Sequence, residues 1–347
     1  MPSDIVKPSI SDNQHPEDKA TARVVSSSAE MRPVIVIGGP TASGKSALAL
    51  AIAREFKGRV INADSMQVYR ELPLLTAQPE ASDKEQVPHR LYGILALTDH
   101  CSAARWADWA FDEIGAAHAA SELPIVIGGT GLYLRSLMEG MSPIPDVPPA
   151  QRSAVQELLR EIGVTALHAR LSARDPAMGR KLHPNDSQRV MRAWEVLEAT
   201  GKSLAEWQQQ PSIPPAGLRF QPWVVLPPRE QLYAACDRRF ELMMDRGALA
   251  EARAALELYG ADILDQPGGK ALGFADLAAV LDGRAELDTA IAAAQQATRN
   301  YAKRQTTWFR HQLGNANFIS PDIDSMKFSE SSLRKIFQNI RDFGLTA

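Results

Sequence analysis

One short segment constrains the fold of this 347-residue chain more than any other: a glycine-rich loop that follows an apolar run. Residues 34–37 are four β-branched residues in succession, which is typical of a buried strand. The loop at residues 39–46 reads GPTASGKS and matches G-x-x-x-x-G-K-[ST], and residues 46–57 then have helical spacing. This order of strand, loop and helix predicts a parallel α/β sheet with a phosphate-binding loop at its edge.

The chemistry expected of this loop is the binding of phosphate groups. Its glycines let successive backbone N–H groups point at phosphate oxygens, and the following helix adds its positive N-terminal end. In this pattern Lys45 holds the terminal phosphates and the Ser46 hydroxyl binds Mg²⁺. An ordinary NTPase, a kinase or a turn that binds nothing stays open, because the loop recognises phosphates and not the reaction. The predicted phosphate-binding residues are Gly39, Pro40, Thr41, Ala42, Ser43, Gly44, Lys45 and Ser46.

Two further strands are predicted to end at the same edge of the sheet. Residues 60–61 begin a short strand, and Asp64 follows its end; residues 124–127 form another, followed by the turn GGTG at 128–131. Ligands of open parallel sheets sit beyond the carboxyl ends of the strands, so Asp64 faces the same crevice as the phosphate loop. There it can act as a Mg²⁺ ligand, a general base or a helix cap.

The predicted fold class is α/β, with a P-loop NTPase-like parallel sheet core and a helical insertion domain. A proline-rich linker at 142–149 begins a wholly helical stretch, residues 223–226 are interpreted as a further strand of the first sheet, and residues 229–312 are mostly helical. The predicted segments are a disordered tail at 1–31, the core at 32–142 and 221–318, the insertion at 143–220, and a C-terminal tail with one short helix at 319–347.

Bulk composition restricts the classes of function. The formal net charge is −3, so any binding of nucleic acid must come from a local patch. The two cysteines, Cys101 and Cys236, lack metal-ligand spacing, which argues against a zinc site or a disulfide framework. No apolar run approaches about 18 residues. We therefore expect a cytoplasmic protein with no membrane segment, and nothing in the sequence demands more than a monomer.

Two local clusters of basic residues could form such a patch. One surrounds a single acid, Asp186, and comprises Arg180, Lys181, His183, Arg189 and Arg192. The other lies at 298–310, contains no acid, and comprises Arg299, Lys303, Arg304 and Arg310 interleaved with Tyr301, Trp308 and Phe309. Basic residues with aromatics suit phosphate contact and base stacking, although a charged stretch is also typical of a solvated helix face. Asp186 itself is predicted to cap the following helix.

Five motifs taken together resemble a known family. They are GPTASGKS at 39–46, DSMQVY at 64–69, GGTGLYLRSL at 128–137, HPNDSQRVMRAWEV at 183–196 and TRNYAKRQTTWFR at 298–310. With this set in this order the chain closely resembles the tRNA isopentenyltransferases, the family of the bacterial tRNA dimethylallyltransferases. The resemblance runs from about residue 32 to residue 312 and leaves only the tails uncovered.

The resemblance implies a prenyl transfer to RNA. In that family the phosphate loop holds the pyrophosphate of dimethylallyl diphosphate with Mg²⁺. The acceptor is the exocyclic N6 amine of the adenosine on the 3′ side of the anticodon in tRNA. The resemblance implies that Asp64 is the base for the amine proton and that Lys45 and Arg239 stabilise the leaving pyrophosphate. Without it, Arg239 would be interpreted as a surface charge on a helix.

The resemblance also implies a set of tRNA contacts, which need an extruded base and a splayed anticodon loop. Thr130 is expected to contact the target base, although from sequence alone a capped glycine-rich turn is the simpler interpretation. The implied tRNA-binding residues are Asp64, Ser65, Met66, Gln67, Thr130, Arg152, Gln188, Arg189, Val190, Met191 and Arg192.

One departure from the family pattern and three alternatives remain at this point. Gln78 stands where the family commonly has the lysine of GTAKP, so we assign it no phosphate role. The alternatives are an adenylate isopentenyltransferase acting on free nucleotide, a P-loop small-molecule kinase, and an RNA-binding module without catalysis. The helical insertion and the basic segment at 298–310 argue against the first, and Lys45 with Asp64 argues against the last.

Overall fold

The computed structural model describes residues 31–321 and 328–345, so nearly all of the predicted N-terminal tail lies outside the described residues. The described residues form a six-stranded sheet in which each pairing is parallel. The strands are β1 (Arg32–Gly38), β2 (Gly58–Asn62), β3 (His89–Arg90), β4 (Leu123–Gly128), β5 (Leu218–Val225) and β6 (Asn317–Ile319). Their order across the sheet is β3-β2-β4-β1-β5-β6, which confirms the predicted α/β class.

Helices separate the strands and cover both faces of the sheet. Those before the insertion are α1 (Lys45–Glu55), α2 (Ala81–Gln86), α3 (Ala103–Ala119) and α4 (Gly131–Glu139). The insertion contains α5 (Pro149–Arg174), α6 (Pro176–Lys181), α7 (Ser187–Thr200) and α8 (Leu204–Gln208). After β5 follow α9 (Arg229–Asp245), α10 (Ala248–Tyr259), α11 (Phe274–Leu281), α12 (Leu287–Gln312) and α13 (Glu330–Leu345).

The apolar run of β1 forms the centre of the core. Side chains alternate between the two faces of a strand, and all four residues at 34–37 are fully buried because helices cover both faces. Val34 and Val36 pack with α3, α4 and Phe309, whereas Ile35 and Ile37 pack with α1 and α13. The central strand is thereby held rigidly, which fixes the position of the loop that follows it.

The helical insertion has an apolar core of its own, in which Leu167 and Leu171 of α5 pack against Val190 and Val196 of α7. Helix α5 is broken at Gly163, whose φ is 75°. The chain returns to the sheet at Leu218, so residues 218–220, predicted as part of the insertion, belong to β5. A separate apolar cluster joins residues 68–97 to α9, α10 and α11.

The C-terminal segment, which we expected to be a tail with one short helix, is part of the core. Helix α13 has 16 residues, and its Ile336 and Ile340 are buried against the face of the sheet that carries α1. Phe337 meets Phe56 edge to face at 5.7 Å, and Arg341 pairs with Glu55 of α1. The sequence did not predict the short strands β3 and β6, which lie at the two edges of the sheet. Within the described ranges, no helix is both long and apolar enough to cross a membrane.

We predict that Ile340→Ala lowers the free energy of unfolding by roughly 2–5 kcal/mol, because it opens a cavity between α13 and the sheet. Urea denaturation measures this change. Gln338→Ala, on the exposed face of the same helix, is the control and should unfold like the wild type. Equal stability of all three proteins would show that α13 does not pack on the sheet in solution.

Candidate active site

Three loops meet at the carboxyl edge of the sheet because the strands before them are neighbours. β1 leads into residues 39–46, β2 into the turn at Asp64, and β4, which lies between β2 and β1, into the turn at Thr130. Helices α9 and α12 approach the same edge with Arg239 and Gln305. The structure therefore brings together the three predicted catalytic residues, which are far apart in the sequence.

The phosphate loop is held in a tight curl by its own backbone. The amide of Ser43 donates to the carbonyl of Pro40 at 3.3 Å, and Gly44, with φ 87°, begins α1 without a side-chain cap. The first-turn amides of α1 have no acceptor within the helix, so they and the positive helix end suit an anion. Ser46 is exposed at this end, while the buried residues of the loop are Gly39, Pro40, Ala42 and Ser43.

Two cationic side chains lie beside the loop. Lys45 donates to the carbonyl of Pro40 at 3.1 Å, and Arg239 donates to the hydroxyl of Thr41 at 3.2 Å. Burial lowers the pKa of Lys45 to about 8; Asp64 opposes this shift and Arg239 adds to it. Burial also lowers the pKa of Arg239, again opposed by Asp64. This concentration of half-buried positive charge is what a diphosphate requires.

The Asp64 carboxylate is oriented by its neighbours. Buried Asn62 accepts from the Asp64 amide at 2.8 Å and donates to the Asp64 carbonyl at 3.0 Å, while Trp106 donates to the Asn62 carbonyl at 2.8 Å. One carboxylate oxygen, Oδ1, accepts from the amide of Met66 at 3.0 Å. The other, Oδ2, accepts no hydrogen bond from the described residues and faces the turn at Gly129. Asp64 thus has one oxygen held by a backbone amide and one that accepts no hydrogen bond from the described residues.

The turn after β4 packs directly on the Asp64 turn. Thr130 Oγ1 accepts from the amide of Ser65 at 2.9 Å and donates to its hydroxyl at 3.2 Å. A Cβ at Gly128 would overlap the backbone of Ala63, so the two turns can approach this closely only with glycine there. Thr130 is the residue before α4 but does not cap it through its side chain. The alternative of a side-chain cap is therefore wrong.

Two residues on α12 complete the site, and the sequence did not single out either as part of it. Gln305 is 6% exposed; its Oε1 accepts from the Thr41 amide at 2.8 Å and its Nε2 donates to the Gly129 carbonyl at 2.9 Å. Tyr301, one helical turn earlier, lies near Asp64 and Thr130; burial first, and then the charge of Asp64, raise the pKa of its phenol. Their spacing of four residues was a helical-face signal, but it did not say what the face meets.

Gln78, the residue that departs from the family pattern, belongs to a hydrogen-bond network beside the Asp64 turn. Gln67 donates to the carbonyls of Thr76 and Ala77 at 2.9 and 2.8 Å. Gln78 donates to the carbonyl of Tyr69 at 2.6 Å, so it braces the turn from behind. A cleft of about 270 Å³ opens beside this network and shares Ser46 and Arg239 with the phosphate loop.

The predicted RNA contacts on α7 fall on two faces of the helix. Gln188 and Arg189 are exposed, Met191 and Arg192 are half-buried, and Val190 is fully buried in the core of the insertion. The side chain of Val190 is therefore not available to RNA, so the predicted contact at this position stays a prediction for its backbone alone. Asp186 accepts from the Arg189 amide at 3.2 Å as the N-cap of α7, which confirms its predicted capping role.

Arg152 of α5 approaches the same region from another helix. Burial first, and then the charges of Arg152, Arg105 and Arg192, lower the pKa of His100, which precedes α3. Arg192 also pairs with Glu195 at 3.5 Å. Arg152 and Arg192 of the insertion thus both lie near His100 of the core.

The basic segment at 298–310 lies on α12 and has a solvent face and a core face. Lys303, Arg304 and Arg310 are exposed, whereas Phe309 is fully buried beneath the sheet. Our interpretation of Phe309 as a base-stacking residue is therefore wrong. Trp308 is half-buried and Arg299 pairs with Asp237 at 2.5 Å, so the free positive charge comes from the three exposed residues.

Comparison with known proteins identifies the family. The family model described as IPP transferase matches residues 67–312. The chain belongs to the IPP transferase family. A tRNA dimethylallyltransferase of Rhodospirillum centenum is 55% identical over 84% of this chain and 92% of the relative, and one of Paramagnetospirillum magneticum is 53% identical over 91% and 98%.

Solved structures of this family share the fold. The full-length tRNA isopentenylpyrophosphate transferase of Bacillus halodurans aligns with a TM-score of 0.63 and 30% identity, over 90% of this chain and 96% of that one. A eukaryotic dimethylallyltransferase, in a structure described as acting on tRNA, aligns with a TM-score of 0.75 and 27% identity, over 90% and 79%.

The lowered pKa of Lys45 predicts that diphosphate binding by this member of the IPP transferase family depends on pH. Below pH 8 the ammonium is charged, and above it the neutral amine cannot hold an anion. Between pH 7 and pH 9 the affinity for a diphosphate monoester should therefore fall by roughly tenfold. Calorimetric titration measures it. Lys45→Met should bind weakly without this pH dependence; a wild-type affinity that stays flat to pH 9 would contradict the role of Lys45.

Proposed function

We propose that this chain transfers a dimethylallyl group from dimethylallyl diphosphate to the exocyclic N6 amine of the adenosine 3′ of the anticodon in tRNA. The observation that carries the proposal is the meeting of a cationic phosphate loop and a carboxylate with one free oxygen across the turn at Thr130. The family membership and the names of the relatives support the same reaction.

The phosphate loop and its two cations form the leaving-group side. As the C1–O bond of the donor breaks, its electron pair goes to the diphosphate, whose charge rises. Lys45, Arg239 and the first-turn amides of α1 are already aimed at that charge, and preorganised groups of this kind lower the barrier most. The diphosphate thus departs whole, without cleavage between its phosphorus atoms.

Mg²⁺ fits this site as an ion carried largely by the diphosphate. Magnesium keeps several waters and takes one or two protein ligands beside substrate phosphates. The Ser46 hydroxyl is exposed at the start of α1 and can serve as one of them. Among the described residues no cluster of three or more His, Cys, Asp or Glu is placed to hold a metal. When bound, Mg²⁺ neutralises part of the charge on the diphosphate.

Asp64 forms the acceptor side. An adenine amine is a weak nucleophile because its lone pair is delocalised into the ring. When N6 forms its bond to C1 it becomes positive and must lose a proton. Asp64 Oδ2, free of hydrogen bonds from the described residues, can accept the N6 hydrogen bond and then that proton. Thr130 and Ser65 lie beside it to orient an extruded base.

The RNA surface spans the insertion and α12. Arg189 on α7 and Lys303, Arg304 and Arg310 on α12 are exposed and positive, which is the local patch that the net charge of −3 required. Arg152, with Arg192, lies at the junction of the insertion and the core. An anticodon loop held between these elements places one splayed base over Asp64.

Nucleoside mass spectrometry of tRNA incubated with the protein, Mg²⁺ and dimethylallyl diphosphate tests the proposal. We expect one prenylated adenosine per tRNA and none in AMP offered alone. Prenylated AMP would indicate the free-nucleotide enzyme. Consumption of ATP without RNA would indicate a kinase, and unmodified tRNA that nevertheless binds would indicate an RNA-binding module.

We predict that Asp64→Asn lowers the single-turnover rate constant by about 10²–10⁴-fold, because the amide cannot take the N6 proton. Its Oδ1 can still accept from the amide of Met66, so the turn should keep its shape. The dissociation constant for tRNA should change less than roughly threefold. Asp282→Asn, at an exposed ion pair with Arg284, is the control. A loss of tRNA binding as large as the loss of rate would make Asp64 a structural residue.

For the RNA surface, Arg189→Ala should weaken tRNA binding and lower the slope of log affinity against log salt by about 1, because one phosphate contact is lost. Filter binding at several salt concentrations measures both. Arg284→Ala removes another exposed arginine, one that follows α11 and lies outside the insertion, and should change neither quantity. Identical salt slopes for the two variants would remove α7 from the RNA surface.

A further inference from the structure

Gln305 hydrogen-bonds both halves of the site. One half is the phosphate loop, and the other is the turn after β4, here called the acceptor turn. Through Oε1 it accepts from Thr41 in the phosphate loop, at 2.8 Å, and through Nε2 it donates to Gly129 in the acceptor turn, at 2.9 Å. Its side chain is buried at 6% exposure, so water does not compete for either bond.

Each of these partners leads to a residue with a proposed role. The hydroxyl of Thr41 accepts from Arg239 on the leaving-group side. Gly129 is bonded to Thr130, whose hydroxyl holds the amide of Ser65 next to Asp64. A continuous set of hydrogen bonds and peptide bonds therefore connects the two halves, and Gln305 is its midpoint.

The chemistry of the primary amide suits this position. A carboxamide carries an acceptor oxygen and a donor NH₂ group on the same carbon, so it can accept from a backbone N–H and donate to a backbone C=O at once. Glutamate keeps the acceptor and loses the donor, and leucine loses both. The close fit at Gly129 supports a specific contact, because a Cβ there would overlap Gln305 Nε2.

We infer, on the basis of the proposed prenyl transfer, that Gln305 is a positioning residue that sets the distance between the diphosphate loop and the acceptor turn. It touches neither the diphosphate nor the base. Its effect is on the geometry in which N6 meets the allylic carbon. A misplacement of about 1 Å between reacting groups can cost roughly 10²-fold in rate, so loss of this bridge should appear in the chemical step.

The Gln305→Glu variant tests the two hydrogen bonds separately. Its carboxylate can still accept from Thr41, but it presents a second oxygen to the Gly129 carbonyl and pushes the acceptor turn away. We expect the single-turnover rate constant at saturating substrates to fall by about 10–100-fold. The dissociation constant for a diphosphate monoester should rise as well, because the new carboxylate adds a negative charge beside the phosphate loop.

Two further variants make the outcome decisive. Gly129→Ala disturbs the same contact from the other side and should reproduce the loss of rate with Gln305 unchanged. Gln312→Ala, at the exposed end of α12, is the matched control and should behave like the wild type. Rates are normalised to active sites titrated with the diphosphate monoester, so that an unfolded fraction does not count as a slow one.

Each possible result of this experiment leads to a different conclusion. A lowered rate constant per active site in both Gln305→Glu and Gly129→Ala, with diphosphate affinity preserved in the uncharged Gly129→Ala variant, supports the inference. Wild-type rate constants per active site in both variants, with or without a lower melting temperature, overturn it and leave Gln305 a structural residue. Failure of the wild type itself to prenylate tRNA would instead overturn the proposed function.

Discussion

The parallel pairing of β2, β4 and β1 is the constraint on which the site depends. Neighbouring strands lie about 4.8 Å apart, so the loops after β1 and β2, with β4 between them, are separated by roughly 10 Å. That gap accommodates a small diphosphate ester and one base edge, and the turn after β4 forms its floor. The fully buried residues at 34–37 hold β1 rigidly, so the gap is a property of the core and not of flexible loops.

A displacement needs positive charge beside the leaving group and a base beside the nucleophile, and the charges of the site are separated in this way. Lys45 and Arg239 lie beside the loop after β1 and Asp64 follows β2, close enough for the charge of Asp64 to raise the pKa of both cations. Burial lowers the pKa of Lys45, and the charge of Asp64 offsets this shift only in part. Binding of a diphosphate supplies the missing charge. The charged groups are therefore already positioned in the folded protein before either substrate binds.

The sequence predicted the features that depend on short-range interactions and missed those that depend on contacts between distant residues. The phosphate loop, the Asp64 turn and the Asp186 cap are set by neighbours within a few residues, so their motifs predicted them. The bridge made by Gln305 joins residues 264 and 176 positions away, and no local pattern reports such contacts. The error at Phe309 came from treating a motif as a continuous surface, whereas a helix turns about 100° per residue and buries one face.

The opposed positions of the phosphate loop and Asp64 have a stereochemical consequence. If N6 attacks from the Asp64 side while the pyrophosphate leaves on the loop side, the configuration at the allylic carbon must invert. Dimethylallyl diphosphate made chiral with deuterium at C1, transferred to tRNA in a single turnover, reports this directly. Inversion in the prenylated adenosine is the result that the geometry predicts. Retention or racemisation would contradict it, since either needs attack from the loop side or a carbocation that turns freely before capture.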